Sequence, residues 1–156
     1  MTPAIRLLKQ AGITHRVHQY THDSARLSYG LEAAQKLGIE AERVLKKLVM
    51  KLDSGALAVG LVPVCFMLSL KAMAKVAGAK KCAMASPSEV ERVTGYVLGG
   101  VSPLGQKLRL KTYVADSAQL HSTVFVSGGR RGLEIEIAPI DLAKLLEAEF
   151  ASITQR

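Results

Sequence analysis

The sequence predicts an α/β chain of the α+β type: one mixed β-sheet system with helices packed around it. Three observations lead there. Short aliphatic runs of strand length alternate with helix-length segments that open on a capping residue and close on glycine. Two pairs of strand-like runs are joined by turn sequences, Asp53-Ser54-Gly55 and Gly128-Gly129-Arg130-Arg131-Gly132, so antiparallel hairpins coexist with crossover helices and the sheet cannot be purely parallel. The chain has 156 residues, 49% of them hydrophobic and only 4% aromatic, which is enough for one aliphatic core; a single domain, 1–156, is expected.

The elements follow in order. Thr2-Pro3 reads as an N-cap with Pro at the first helical position, and Ile5, Leu7 and Leu8 give an apolar stripe ended by Gly12. His15 to Tyr20 alternates as a strand, and Leu31 to Leu37 forms a helix with Gly38 as its stop. Val44 to Met50 and Ala56 to Val62 are the first hairpin. Ser69 caps a helix through Leu70, Met73, Val76 and Ala77 that ends at Gly78. Ser86-Pro87-Ser88-Glu89 is a capping box with Pro at the first position. Thr112 to Ala115, Thr123 to Val126 and Leu133 to Ile137 are strands, and a last helix runs from about Ile140 to Ala148.

Composition narrows the function. With 21 Lys+Arg against 13 Asp+Glu the formal charge is +8, which favours a polyanionic partner. The cations form small clusters on ordered segments: Lys46-Lys47, Lys71 with Lys75, Lys80-Lys81, Lys107-Arg109-Lys111 and Arg130-Arg131. So few aromatics argue against a base-stacking platform. No apolar run suits a membrane span, no secretory h-region is present, and Cys65 and Cys82 read as buried free thiols; a cytoplasmic location is expected.

Candidate chemistry is sparse. His18 and His22 have helical metal-ligand spacing but fall at a strand end without a completing Cys or carboxylate, so no metal and no cofactor is expected. Ser127-Gly128-Gly129 fits a hairpin turn better than a nucleophile elbow. Two features remain. One is the segment Gly95 to Gly105, with four glycines and Pro103, which is either a tight structural turn or a cradle of backbone N–H groups for a phosphate, a carboxylate or an oxyanion. The other is Lys46-Lys47 on a strand: the two must point to opposite faces, so one turns inward or into a cleft, and Lys46, beside the Gly-rich segment, is expected to be that one.

Taken together, several segments resemble the bacterial YbaK family, free-standing relatives of the editing domain of prolyl-tRNA synthetases. They are Thr2-Pro3-Ala4, Glu32-Ala33-Ala34 with Leu37-Gly38, Lys46, Thr94-Gly95-Tyr96, Gly99 to Gly105, Val126 to Leu133 and Glu136 to Pro139. The resemblance covers essentially the whole chain. It implies a mixed, partly barrel-like β-sheet flanked by helices, and hydrolytic editing of mischarged tRNA, chiefly Cys-tRNA(Pro), without metal or cofactor. It assigns Lys46, Gly99, Gly100 and Val101 to catalysis: Lys46 holds the terminal phosphate region and orients the aminoacyl ester, and the loop backbone stabilises charge on the ester oxygen. Tyr20, Ser102, Pro103, Ser127, Gly128 and Glu134 would bind substrate, and Arg130 and Arg131 would meet tRNA. Mischarged tRNA-Pro is the implied partner, with prolyl-tRNA synthetase beside it where the synthetase supplies tRNA selection. Lys47 and Glu134 depart from the family pattern, which has smaller residues such as Thr at the first and Asp or Ser at the second. A non-catalytic tRNA- or nucleotide-binding module, or a synthetase-docking module, is the alternative on the same fold.

Overall fold

The computed structural model describes residues 2–23, 29–95, 102–105 and 110–155. Helix α1, Pro3–Ala11, begins as expected: the Thr2 hydroxyl accepts from the Ile5 amide, and Gly12 closes the helix in the left-handed conformation. Strand β1, His15–Gln19, leads to helix α2, Tyr29–Leu37. Strands β2, Leu45–Leu52, and β3, Leu57–Pro63, form the first hairpin. A short strand β4, Met67–Leu68, precedes helix α3, Leu70–Val76, where Ser69 accepts from the Ala72 amide. After β5, Cys82–Met84, helix α4, Pro87–Thr94, starts on the complete Ser86/Glu89 capping box. The chain then runs through β6 (Lys111–Ala115), β7 (Val124–Ser127), β8 (Leu133–Ile137), helix α5 (Pro139–Leu146), β9 (Glu149–Ala151) and β10 (Thr154–Gln155).

The strands assemble into a mixed sheet of order β5-β2-β3-β6-β9, an antiparallel sheet β1-β8-β7, and the small pair β10-β4. In the first of these, β2 is antiparallel to β3 and β5, whereas β6 runs parallel to β3 and β9. The two larger sheets meet where β2 begins: a parallel bridge joins Val44 to Phe125, so β2 lies beside β7 in its first half and beside β5 in its second.

Side-chain alternation sorts the interior. Leu45, Val49, Val59, Leu61, Val114, Val124, Val126, Leu133, Ile135 and Ile137 point into one core, which α1, α4 and α5 close with Ala4, Ile5, Leu8, Val90, Leu142 and Leu146. The opposite face of the mixed sheet presents Met50, Ala58, Val62, Tyr113 and Ala115 to Met73 of α3. Ala33 and Ala34 of α2 cover a third cluster with Val44, Val64 and Phe125, and Tyr20 packs at its margin.

The short strands β4, β5, β9 and β10, and the 3-10 turns Ala41–Arg43 and Asp116–Leu120, were not expected. The thiols also differ from expectation: both cysteines are free, but Cys65 is exposed and Cys82 only half-buried. Cys65 stands just past the end of β3, where the chain turns outward, and its Sγ lies 3.6 Å from Glu42 Oε1.

Candidate active site

Three residues singled out from the sequence, Lys46, Ser127 and Glu134, fall on one row across β2, β7 and β8, and a fourth, Tyr20, shares their face one step further along. Ser127 of β7 is paired directly with Glu134 of β8. Glu134 is also paired with His18 of β1, and Tyr20 follows two residues on, its amide donating to the Gly132 carbonyl at 3.0 Å. Carrying the Val44–Phe125 bridge forward two residues along both parallel segments brings Lys46 level with Ser127. The shared face is set by the alternation: Val44, Phe125 and Tyr20 belong to one apolar cluster, while Leu45, Val126, Leu133 and Ile135 point into the core behind them.

The electrostatics of this row are unusual for a half-exposed surface. Glu134 is 7% exposed, and burial pushes its carboxyl up to about 8, so it is protonated at neutral pH. Burial, reinforced by the neighbouring Glu134, raises the Tyr20 hydroxyl to about 12. Lys46 is half-buried, and burial lowers its ammonium from the ordinary lysine value, with the Cys65 thiol nearby. Gly132, at φ +82°, is required here: a Cβ would stand 2.6 Å from the Tyr20 carbonyl oxygen, so a side chain would break the pairing that places Tyr20.

The surroundings hold the row in place. Fully buried Glu32 of α2 accepts from His22 Nδ1 at 2.6 Å and from the Asp23 amide at 2.8 Å, with Lys36 Nζ at 3.6 Å. Burial alone would raise the Glu32 carboxyl; these donors outweigh it and hold it low. His22 and His18 are therefore structural partners of carboxylates, since His18 Nε2 lies 2.9 Å from Glu136 Oε1. Thr123 donates to the other Glu136 oxygen at 2.6 Å, and the Arg43 guanidinium lies 5.1 Å from the Phe125 ring centre. Among the described residues, His, Cys, Asp and Glu form no group of three that could hold a metal ion.

The Gly-rich segment is described only in part: Gly99, Gly100 and Val101 lie outside the described residues, as do Lys107 and Arg109. Ser102, Pro103 and Leu104 are buried, and the Leu104 amide donates to Ser102 Oγ at 3.2 Å. Gly105, at φ +68°, lies so close to Pro3 that a Cβ would sit 2.6 Å from the Pro3 carbonyl carbon. Gly128 is buried and is joined to the same helix end, because Thr2 Oγ1 donates to its carbonyl at 2.5 Å. Ser127 Oγ accepts from the Gly129 amide in the hairpin turn, where Arg130 and Arg131 are exposed.

The lysine pair behaves differently from expectation. Lys46 was expected to be the inward one, beside the loop. The structure puts Lys47 deeper, on the core phase of β2 between Leu45 and Val49, where its Nζ donates to the Ser102 carbonyl at 3.2 Å. Burial pushes the Lys47 ammonium down to about 7. Alternation placed the two lysines on opposite faces, but Val44, Leu48 and Met50 make the other phase of β2 as apolar as Leu45 and Val49, so the sequence did not show which phase faces the main core. The Glu32–His22 clamp was missed because its members are ten residues apart and their contact needs the fold.

Comparison with known proteins decides the family. A model of the aminoacyl-tRNA editing domain matches residues 28–145, a span that includes Lys46, the Gly-rich segment, Ser127 and Glu134. The chain belongs to the aminoacyl-tRNA editing domain family. Within it, the chain is 36% identical over 155 residues to an Enterococcus faecalis protein named "Putative Cys-tRNA(Pro)/Cys-tRNA(Cys) deacylase EbsC", covering 99% of this chain and 94% of that one. It is similar to a crystal structure described as "a putative trans-editing enzyme for prolyl tRNA synthetase", with a TM-score of 0.85, 26% identity and coverage of 100% of this chain and 99% of that one. Hypothetical protein APE2540 shares the fold at a TM-score of 0.88 and 24% identity, over 99% of this chain and 100% of that one. The editing-domain fold is thus shared over essentially the whole chain, and the protein is an aminoacyl-tRNA deacylase by family.

Proposed function

We propose that this editing domain, residues 1–156, acts in trans to deacylate Cys-tRNA(Pro) in the cytoplasm. The observation that carries the reading is the face shared by Lys46, Ser127, Glu134 and Tyr20, which offers one cation, two hydroxyls and a neutral carboxyl. Lys46 is suited to a phosphate or ester oxygen of the terminal adenosine: among the described residues it has no hydrogen bond and no carboxylate partner, so its charge is not already matched. Glu134, protonated at neutral pH, adds a donor without presenting a buried anion to a polyanionic substrate. Backbone N–H groups of Gly99, Gly100 and Val101, with Ser102 and Pro103 completing the segment, would receive charge that develops on the ester oxygen.

The chemistry this arrangement fits is positional. The substrate's own thiol attacks the ester carbonyl carbon, the bond from that carbon to the ribose oxygen breaks, and the thiol proton passes to the leaving oxygen. Free tRNA and a cyclic thiolactone result. Holding sulfur and carbonyl in line can supply roughly 7–11 kcal/mol of the barrier. Arg130 and Arg131, exposed on the β7–β8 turn, would meet the tRNA backbone, and prolyl-tRNA synthetase would be the associated partner that delivers the substrate.

The test is release of free tRNA from purified Cys-tRNA(Pro), Ala-tRNA(Pro) and Pro-tRNA(Pro). Cysteinyl release should exceed prolyl release by at least about tenfold, a difference of about 1.4 kcal/mol in transition-state binding. Binding of all three without release would make the protein a tRNA-binding module instead.

A further inference from the structure

Lys47 lies on the core phase of β2, away from the face that carries Lys46, Ser127 and Glu134. Its side chain leaves β2 on the opposite face from Lys46, crosses the core beside Leu45 and Val49, and ends on the Ser102 carbonyl at 3.2 Å. An aliphatic residue would fill that space without the cost of taking an ammonium out of water. The segment it reaches is tied down elsewhere by close contacts: the Ser102 hydroxyl turns back to the Leu104 amide, Leu104 is fully buried with α1, and Gly105 abuts Pro3. Pro103 and Gly105 also border a cleft of about 170 Å³ with Leu7, Leu110 and Leu145, so packing alone leaves room for movement.

We propose that Lys47 is the positioning residue of the 102–105 segment, fixing the Ser102–Pro103 peptide plane from inside the core so that Ser102 and Pro103 keep their place toward the ester. The assignment rests on the deacylase reading, because only that reading gives the segment an ester to meet. Lys46 and Lys47 then divide the work of one strand: one faces the substrate, and the other, on the reverse side, sets the backbone that works on the same substrate.

Lys47→Met keeps the length of the side chain and removes the donor. Two readouts separate the anchor from the deacylase reading. In amide hydrogen exchange, the peptide containing Leu104 and Gly105 should exchange at least about tenfold faster in Lys47→Met than in the parent, while peptides from β3 and β8 stay unchanged. In deacylation, kcat should fall roughly 10- to 100-fold with KM within about twofold, the split expected for misplaced groups rather than lost binding. Unchanged exchange in the 102–105 peptide overturns the anchor, and unchanged kcat overturns the positioning role. A parent protein that releases no amino acid from any tRNA defeats the deacylase reading, while the exchange readout still decides the anchor. Should Lys47→Met not fold, ammonium NMR of the wild-type protein near pH 6 decides instead. Slow proton exchange at Lys47 Nζ supports the bond to Ser102, and exchange as fast as that of Lys71 or Lys75 overturns it.

Discussion

Replacing Glu134 by Gln should stabilise the protein by an amount that grows with pH. The folded chain holds the Glu134 carboxyl at about 8, against an ordinary value of 4.5, because β8 buries it. Near pH 4 the folded and unfolded chains both carry the proton, and the neutral amide of Gln should be nearly equivalent. As pH rises past 4.5 the unfolded chain releases its proton while the folded chain keeps it, so folding becomes steadily less favourable until the folded carboxyl also ionises near 8. At 1.36 kcal/mol per pH unit the full window corresponds to about 5 kcal/mol as an upper bound, and relaxation around the carboxylate should leave about 2–3 kcal/mol. For a chain of this length that corresponds to a melting temperature roughly 5–10 °C higher for Glu134→Gln at pH 8, with almost no difference at pH 4. Lys47 titrates with the opposite sign: its folded value of about 7 lies below the ordinary 10.5, so its cost is present below pH 7 and disappears as pH rises to 10.5. It is common to both proteins and cancels in the difference. Thermal melts of the two proteins at pH 4, 6, 7, 8 and 9 are sufficient. A melting-temperature difference that stays constant from pH 5 to 8 would refute the reasoning, since it would place Glu134 in contact with water or with an unrecognised cation.

Three further outcomes follow from named contacts. Lys46→Ala should lower deacylation of Cys-tRNA(Pro) at least about 100-fold while moving the melting temperature by no more than about 2 °C, because the side chain is half-buried and bonded to nothing among the described residues; near-normal turnover would remove it from the mechanism. Thr2→Ala deletes both the α1 cap and the bond to the Gly128 carbonyl, and should cost about 1–2 kcal/mol in urea unfolding. Charge reversal of Arg130 and Arg131 should weaken binding of tRNA-Pro and other tRNAs alike and flatten the salt dependence, as read by filter binding between 50 and 200 mM salt; a tRNA-selective effect would argue for base contacts.

Much of this architecture was legible because its boundaries are written in local chemistry. Thr2-Pro3, Ser69 and the Ser86–Glu89 box each cap the helix expected of them, and the two turn sequences close the two hairpins. The unexpected strands β4, β5, β9 and β10 are two or three residues long, too short for an alternation to show; β5 and β9 add to the edges of the mixed sheet, and β4 and β10 pair only with each other. The family resemblance named candidate site residues, yet no geometry for them. The row that joins Lys46 to Ser127 and Glu134 depends on the parallel bridge between Val44 and Phe125, a contact across 81 positions that no local pattern announces.

The lysine pair shows how much rests on that bridge. Because side chains alternate along a strand, a slip of β2 by one residue would exchange the places of Lys46 and Lys47, sending Lys46 to the core side and Lys47 to the face of Ser127. Composition would be unchanged, and so would the count of charges near the site. Two features oppose the slip. The Asp53–Gly55 turn, with the Gly55 amide bonded to the Leu52 carbonyl at 2.9 Å, sets the pairing of β2 with β3 from one end. At the other, the Val64 amide bonds to the Val44 carbonyl at 2.8 Å, and the bridge to Phe125 holds the start of β2 against β7. Leu45 and Val49 reinforce both, since a slip would bring them out of the main core. The hydrophobic phase of β2 therefore specifies more than stability: through it, aliphatic residues determine which of two adjacent lysines lies beside Ser127 and which reaches the Ser102 carbonyl.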